Sequence, residues 1–253
     1  MIGRFRSARP MAVAFTLSLI ALPLTASAQT GAGDGYLFHS PKASLSLRVG
    51  VAKPTADSRV FSFASDQLTL DRGDFTGVSL GADLDFAITS RVALQMGTSL
   101  STRSIGSNYR DFVDNDDAEI EQNTSFRRAP VTAGVKVYLM SPGRSLGRFA
   151  WVPSRIAPYV AAGGGLMYYK FRQSGDFVDF ENFDVFASTL ESSGWTSTAY
   201  GSAGVNYSLS ARMGLVTEAR YERARAPMSS DFVGFDRIDL SGFTLSTGLH
   251  LRF

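Results

Sequence analysis

GFTLSTGLHLRF, residues 242–253, reads as a ribbon with two unlike faces. Phe243, Leu245, Thr247, Leu249, Leu251 and Phe253 share one parity, and Gly242, Thr244, Ser246, Gly248, His250 and Arg252 share the other. Successive side chains of a strand point to opposite sides, so one side here is apolar with a single threonine and the other is small or polar. The spacing predicts a β-strand and shows no helical stripe. A soluble sandwich could hide such a face as well as a barrel in lipid could, so this segment alone leaves the solvent open.

The same alternation recurs from residue 43 onward, and we read eight strands, at 43–53, 74–86, 91–103, 124–139, 156–171, 195–207, 211–223 and 239–253. Leu45, Leu47, Val49 and Val51 form one apolar set, Val78, Leu80, Ala82, Leu84 and Phe86 a second, and Val131, Ala133, Val135, Val137 and Leu139 a third. The opposite parities carry Arg48, Asp83, Asp85, Arg128, Lys136, Glu218, Arg220, Glu222 and Arg252. One face avoids water and the other accepts it.

Connection lengths add direction. Segments 54–73, 104–123, 172–194 and 224–238 are long, 87–90 and 208–210 are tight turns, and 140–155 is the one longer link on the short side. Long loops at one end and short turns at the other is the pattern of bacterial outer-membrane barrels with both termini in the periplasm. The aromatic residues suggest two girdles, Phe86, Tyr159, Tyr207 and Phe253 at the short-turn rim and Tyr169, Phe171, Trp195, Tyr221 and Phe243 at the other. Ten residues separate Tyr159 from Tyr169 and Phe243 from Phe253; at about 3.3 Å per residue and a tilt of roughly 45° this spans about 23 Å, near the ~25 Å lipid-facing band of such barrels. Closing the last strand on the first would pair every backbone group that a bilayer cannot hydrogen-bond, with Phe253 facing lipid.

APYVAAGGGLMYY, residues 157–169, and AYGSAGVNYSLSARMGLVTEARYER, residues 199–223, carry a resemblance. The first is similar to a Pro-Tyr strand with alternate glycines, here Gly163 and Gly165, and the second to a strand, a tight turn and a Glu-x-Arg-Tyr strand. With the terminal Phe253, they resemble the small eight-stranded outer-membrane barrels related to OmpA, OmpX and the opacity proteins, the porin-like superfamily. That resemblance covers essentially the mature chain and implies an all-β, antiparallel, up-and-down transmembrane β-barrel in the outer membrane. It also implies that Phe253 is read by the barrel-assembly machinery. Members of the superfamily do different things, so it implies no activity.

The first 28 residues lie outside that fold. Arg4, Arg6 and Arg9, the apolar run MAVAFTLSLIALPL at 11–24 and the small residues Ala26, Ser27 and Ala28 form the pattern of a secretory signal peptide. We expect Sec export, cleavage before Gln29, a periplasmic segment at 29–42 and a barrel domain at 43–253. Cysteine is absent, which excludes disulfides and lipoprotein anchoring. Of 25 basic and 23 acidic residues, the signal removes three arginines and no acid, leaving 22 against 23. The basicity therefore belongs to the signal, and nucleic-acid binding loses its compositional support. Nothing after residue 28 is long and apolar enough for a transmembrane helix, so membrane crossing needs strands.

Eight strands enclose a space that side chains can fill. We expect the charged parity set to neutralise itself there, because buried charges need partners; a narrow passage for ions or small solutes is the alternative. A serine-type hydrolase needs a histidine beside its nucleophile on the substrate side, and His39 and His250 both sit toward the short-turn end. No HExxH or histidine pair suggests a transition-metal site, and no cofactor is implied.

The loops are acidic. DFVDNDDAEIE at 111–121 holds six acids, and DFVDFENFDVF at 176–186 mixes four acids with Phe177, Phe180, Phe183 and Phe186. Asp114, Asp116 and Glu119 lack the glycine and terminal glutamate of an EF-hand, so solvated loop charge is the plainer reading. The phenylalanines, three residues apart, could pack within the loop, touch the outer leaflet or form a partner-binding patch. Gly163, Gly164, Gly165, Gly201, Gly204 and Gly214 suit barrel curvature or close packing rather than a phosphate loop. The expected protein is a monomer embedded in outer-membrane lipid and lipopolysaccharide. It would be non-enzymatic, with a structural or surface-interaction role through its loops; a channel for ions or small or hydrophobic solutes is the alternative, and an outer-leaflet lipid-modifying enzyme is third.

Overall fold

A computed structural model describes residues 35–113, 118–178 and 185–253. The expected signal peptide, residues 29–34, Asp114, Asp116, Phe180 and Phe183 lie outside them. The strands in chain order are β1 (Ala43–Pro54), β2 (Gly77–Ala87), β3 (Val92–Val113), β4 (Glu119–Tyr138), β5 (Gly143–Ser145), β6 (Trp151–Pro153), β7 (Ile156–Val178), β8 (Val185–Ser208), β9 (Met213–Pro227), β10 (Arg237–Asp239) and β11 (Gly242–Arg252), with one α-helix, α1 (Arg59–Gln67).

Eight of these strands form a closed antiparallel ring in the order β1-β2-β3-β4-β7-β8-β9-β11. Closure is made by β1 and β11, from Ser44 opposite Arg252 to Pro54 opposite Gly242. No edge is left unpaired in the ring, which removes the exposed backbone that neither lipid nor a neighbouring sheet edge could be allowed to meet. The small strand β10 extends β9 beyond the ring, and β5 pairs with β6 in a hairpin within the connection from β4 to β7.

The outer face is apolar over a continuous band. Leu47, Val49, Val51, Val78, Leu80, Met96, Val131, Leu166, Leu215, Leu245 and Leu249 are all exposed. A contiguous belt of this kind, wrapped around a closed sheet, is what a bilayer solvates and water does not. The inward parity of the same strands supplies Ser46, Arg48, Asp83, Asp85, Gln95, Lys136, Glu218 and Arg220, all buried.

Two glycines show how the interior is fitted. A Cβ on Gly134 would lie 2.5 Å from the Tyr200 hydroxyl, and one on Gly204 would lie 2.5 Å from the Tyr159 ring. Both open space for an inward-pointing tyrosine on an adjacent part of the wall.

Several expectations need correction. β3, β4, β7 and β8 run far past the ends read from sequence, so much of 104–123 and 172–194 is hairpin rather than loop. Above the lipid band both faces of a hairpin can be polar, and the alternation that marks the buried part of a strand is lost there. The stretch 54–73 contains α1, whose nine residues bury Val60, Phe61 and Ala64. β2 starts at Gly77 rather than 74, because residues 72–75 form a 3-10 turn whose capping box joins Asp71 and Asp74.

Candidate functional site

The barrel interior is built in two layers. The first is a set of charged inward residues on five strands. Arg48 of β1 pairs with both Asp83 of β2 and Glu218 of β9. Arg220 of β9 reaches Asp83 at 3.2 Å, Glu218 at 3.0 Å and Glu222 at 3.9 Å. Lys136 of β4 donates to Asp85 of β2 at 2.6 Å. Arg128 donates to the Leu240 carbonyl at 2.9 Å, and Arg252 to the Ser208 hydroxyl at 2.8 Å. Thus all nine charged residues of the inward parity set are buried inside the barrel, and Asp239, which sequence reading did not single out, joins them. Five cations and five carboxylates are buried here, and Arg48, Arg220 and Lys136 pair directly with Asp83, Asp85, Glu218 and Glu222. That balance is what lets charge persist out of water.

Aromatic rings complete this layer. The Arg220 guanidinium lies 4.3 Å from the Tyr200 ring centre, and Lys136 Nζ lies 4.4 Å from that of Tyr159. The Tyr159 hydroxyl donates to Glu218 at 3.0 Å, and the Tyr200 hydroxyl to Gln95 at 3.0 Å. The rings therefore satisfy carboxylate and amide oxygens while covering cations.

The second layer is apolar and closes the long-loop end. Phe61 of α1 meets Phe75, Phe126 and Phe171 edge-on at centroid distances of 4.9, 5.4 and 5.6 Å, and Phe171 meets Phe232 at 5.5 Å. Leu68, Leu70, Ile105, Ile120, Met167, Ile238 and Leu240 pack around them. Edge-to-face rings in such a cluster gain beyond the area they bury. The loop that carries α1 is tied to the segment joining β9 and β11. Thr55 N–H donates to the Ser241 carbonyl at 2.9 Å, Asp57 N–H to the Asp239 carboxylate at 3.2 Å, and Asp239 N–H to the Ser58 hydroxyl at 3.2 Å. Asp239 thus serves both layers.

Two small voids lie among the described residues of the interior. One void beside Arg48, Ser79, Arg220 and Ser246 measures about 10 Å³, and another of about 10 Å³ lies beside Phe75, Phe126 and Arg128. Each has room for roughly one water.

The girdle expectation divides. Phe86, Trp195, Tyr221, Phe243 and Phe253 are exposed on the outer face, and Tyr207 is half-buried on the same face. Tyr159, Tyr169 and Phe171 are instead buried inside, at 2%, 2% and 0% exposure, which corrects their placement in an outer girdle. The register gives the reason. Tyr159 stands opposite Tyr138, Tyr169 opposite Arg128, and Phe171 opposite Phe126, and paired residues share a face. Up to Tyr169 both parities of β7 are small or apolar, so its own alternation there could not choose; Arg128 and Lys136 on the neighbouring strand could have. The outward ring at that height is Tyr168, which packs on Trp195 at 5.5 Å.

The histidines are placed apart. His39 is exposed before β1, while His250 is buried, with Nδ1 3.0 Å from the Ser46 hydroxyl and Nε2 3.4 Å from the Asn206 amide. Serine, histidine and asparagine side chains thus meet, with Ser46, His250 and Asn206 buried to within 2% exposure. No group of three or more potential metal ligands occurs among the described residues.

No family model and no curated protein matches the chain. Solved structures do. Neisserial surface protein A is 13% identical, over 83% of this chain and 96% of its own, with a TM-score of 0.44. A major outer membrane protein from Thermus thermophilus is 13% identical, over 85% of this chain and 100% of its own, at 0.44. Ail, the attachment invasion locus protein of Yersinia pestis, is 14% identical, over 83% of this chain and 99% of its own, at 0.40. A closed ring of eight antiparallel strands, apolar outside and charged within, with tight turns at one end and long hairpins at the other, gives this chain the fold of the small eight-stranded outer-membrane β-barrels.

Proposed function

We propose that the protein is a non-enzymatic outer-membrane barrel whose role is structural or surface-directed, carried by the acidic hairpins at its long-loop end. The observation that supports this most is the packing of the interior: among the described residues, a charge network below and an aromatic cluster above border voids of about 10 Å³. A passage for solutes needs a continuous path, and a hydrolase needs a nucleophile that substrate can reach. The accessible chemistry lies on the hairpins, where Asp111, Glu119, Glu121 and Asp176 stand among polar side chains.

In this reading residues 1–28 direct Sec export, the barrel-assembly machinery inserts the chain, and the long-loop end faces outward as a monomer in lipid and lipopolysaccharide. Arg127, Arg172, Arg223 and Arg225 are exposed above the apolar band on that side, where lipopolysaccharide phosphates lie. Planar-bilayer recording tests the reading. Purified protein should show no unitary conductance, whereas removal of the hairpin extensions 105–121 and 173–191 should change binding of whole cells to surfaces. Steady conductance steps abolished by Arg220→Gln would establish a channel in its place.

A further inference from the structure

The short-turn end has a charge unlike the rest of the molecule. Its described connecting segments, 35–42, 88–91, 139–155 and 209–212, contain Lys42, Arg91, Arg144, Arg148, Arg155 and Arg212 and no acid. The nearest acid in sequence, Asp34, lies outside the described residues. All six cations are exposed, and none has a carboxylate partner within 4.0 Å among the described residues. Among the described residues, most of the acids lie at the opposite end.

These cations are interleaved with exposed apolar side chains. In RSLGRF, residues 144–149, Arg144, Leu146, Arg148 and Phe149 are all exposed, Phe149 at 68%. Ile88 and Leu209 stand exposed on the neighbouring tight turns. Water favours the charges of such a surface but not the rings and leucines. A headgroup layer favours both, because acyl chains and phosphates lie within one side chain's reach of each other.

One position is built more fully. Arg155 Nε donates to the Tyr207 hydroxyl at 3.1 Å, and its guanidinium lies 5.7 Å from the Tyr207 ring centre. Its two terminal nitrogens have no hydrogen-bond partner among the described residues. Arg155 lines a groove of about 600 Å³ together with Val152, Pro153, Leu209 and Ala211 and the polar Ser208 and Ser210. A fixed guanidinium fork beside an apolar wall fits a phosphodiester joined to glycerol and fatty acyl chains.

We propose that this end binds anionic glycerophospholipid headgroups of the leaflet it adjoins, with the Arg155 groove as the principal site and Arg144 and Arg148 beside it. The inference rests on the membrane reading above. It would hold the barrel at a fixed depth from below, as the arginines of the other end would from above.

The test uses folded protein inserted into vesicles of equal parts phosphatidylglycerol and phosphatidylcholine, extracted in mild detergent and weighed with its retained lipids by native mass spectrometry. Phosphatidylglycerol should be retained in preference, and Arg144→Gln, Arg148→Gln and Arg155→Gln together should lower that preference by at least about tenfold, while Arg127→Gln with Arg172→Gln leaves it in place. Arg155→Gln alone should lose the most tightly held lipid. Equal retention of the two lipids, a preference that follows Arg127 and Arg172, or a preference for soluble peptidoglycan fragments over lipid would each overturn the proposal. A heat-shifted gel band and insertion into phosphatidylcholine alone are scored in parallel. Their loss would count against the membrane reading itself, and their presence without lipid preference against this inference only.

Discussion

Lys136 and Asp85, 51 positions apart in sequence, meet at 2.6 Å inside the barrel with their side chains 1% and 3% exposed. Asp85 also accepts from the Ser44 hydroxyl at 3.4 Å, and the Tyr159 ring covers the ammonium. Removing one partner strands a charge that water cannot reach. Asp85→Ala should therefore cost about 3–5 kcal/mol, while Asp85→Leu with Lys136→Met should cost far less or stabilise. Urea unfolding in detergent, followed by the heat-shifted gel band, checks the pair. Equal losses in the single and double variants would mean that the pair contributes nothing specific.

Phe61 tests the plug. Its ring is fully buried among three others, so Phe61→Ala should cost roughly 3–5 kcal/mol of local stability. Hydrogen exchange should rise across residues 55–76 while the ring strands stay protected, since those strands hold one another without α1. Unchanged exchange in that segment would contradict the packing.

Leu80 probes the outer face. It stands between Val49 and Leu100 in the apolar band. Leu80→Arg should destabilise the inserted barrel by about 2–4 kcal/mol, as arginine does near the midplane of such barrels, and Leu80→Met by less than about 1.5 kcal/mol. Reversible folding into vesicles gives both values.

Glycines on opposite faces should respond oppositely. Gly134→Val drives a side chain into the space held by Tyr200 and should cost at least about 1–3 kcal/mol by overpacking, whereas a Cβ on Gly201 meets nothing within 4 Å and Gly201→Val should be close to neutral. Thermal shifts of the heat-modifiable band distinguish them.

Strand number, closure and the charged set were legible in the sequence because burial in lipid enforces strict alternation. Arg48, Asp83, Lys136 and Glu218 could lie only inside once Leu47, Leu84, Val135 and Leu215 lay outside. β7 was not legible on its own, since Tyr159, Tyr169 and Phe171 on one parity and Val160, Leu166 and Tyr168 on the other are similarly apolar; the register with β4 places them. The plug was hidden for another reason. Phe61, Phe75 and Phe232 lie in connections with no period to read, and they come together only when closure of the ring gathers the β1–β2 and β9–β11 connections over one mouth. The shared rim of the short turns was legible from connection lengths, but its basic residues are scattered singly along the chain and carry no local pattern.

Lipid touches the outside of the closed cylinder and never its inside. The chain has no cysteine, so single cysteines can be introduced cleanly at adjacent positions of β11, Leu245→Cys outward and Ser246→Cys inward, and labelled with a small fluorophore. In vesicles of lipids brominated near mid-chain, the label at 245 should be strongly quenched and the label at 246 should not. Strong quenching at 246 with none at 245 would mean that the polar face meets lipid and the barrel is inside out.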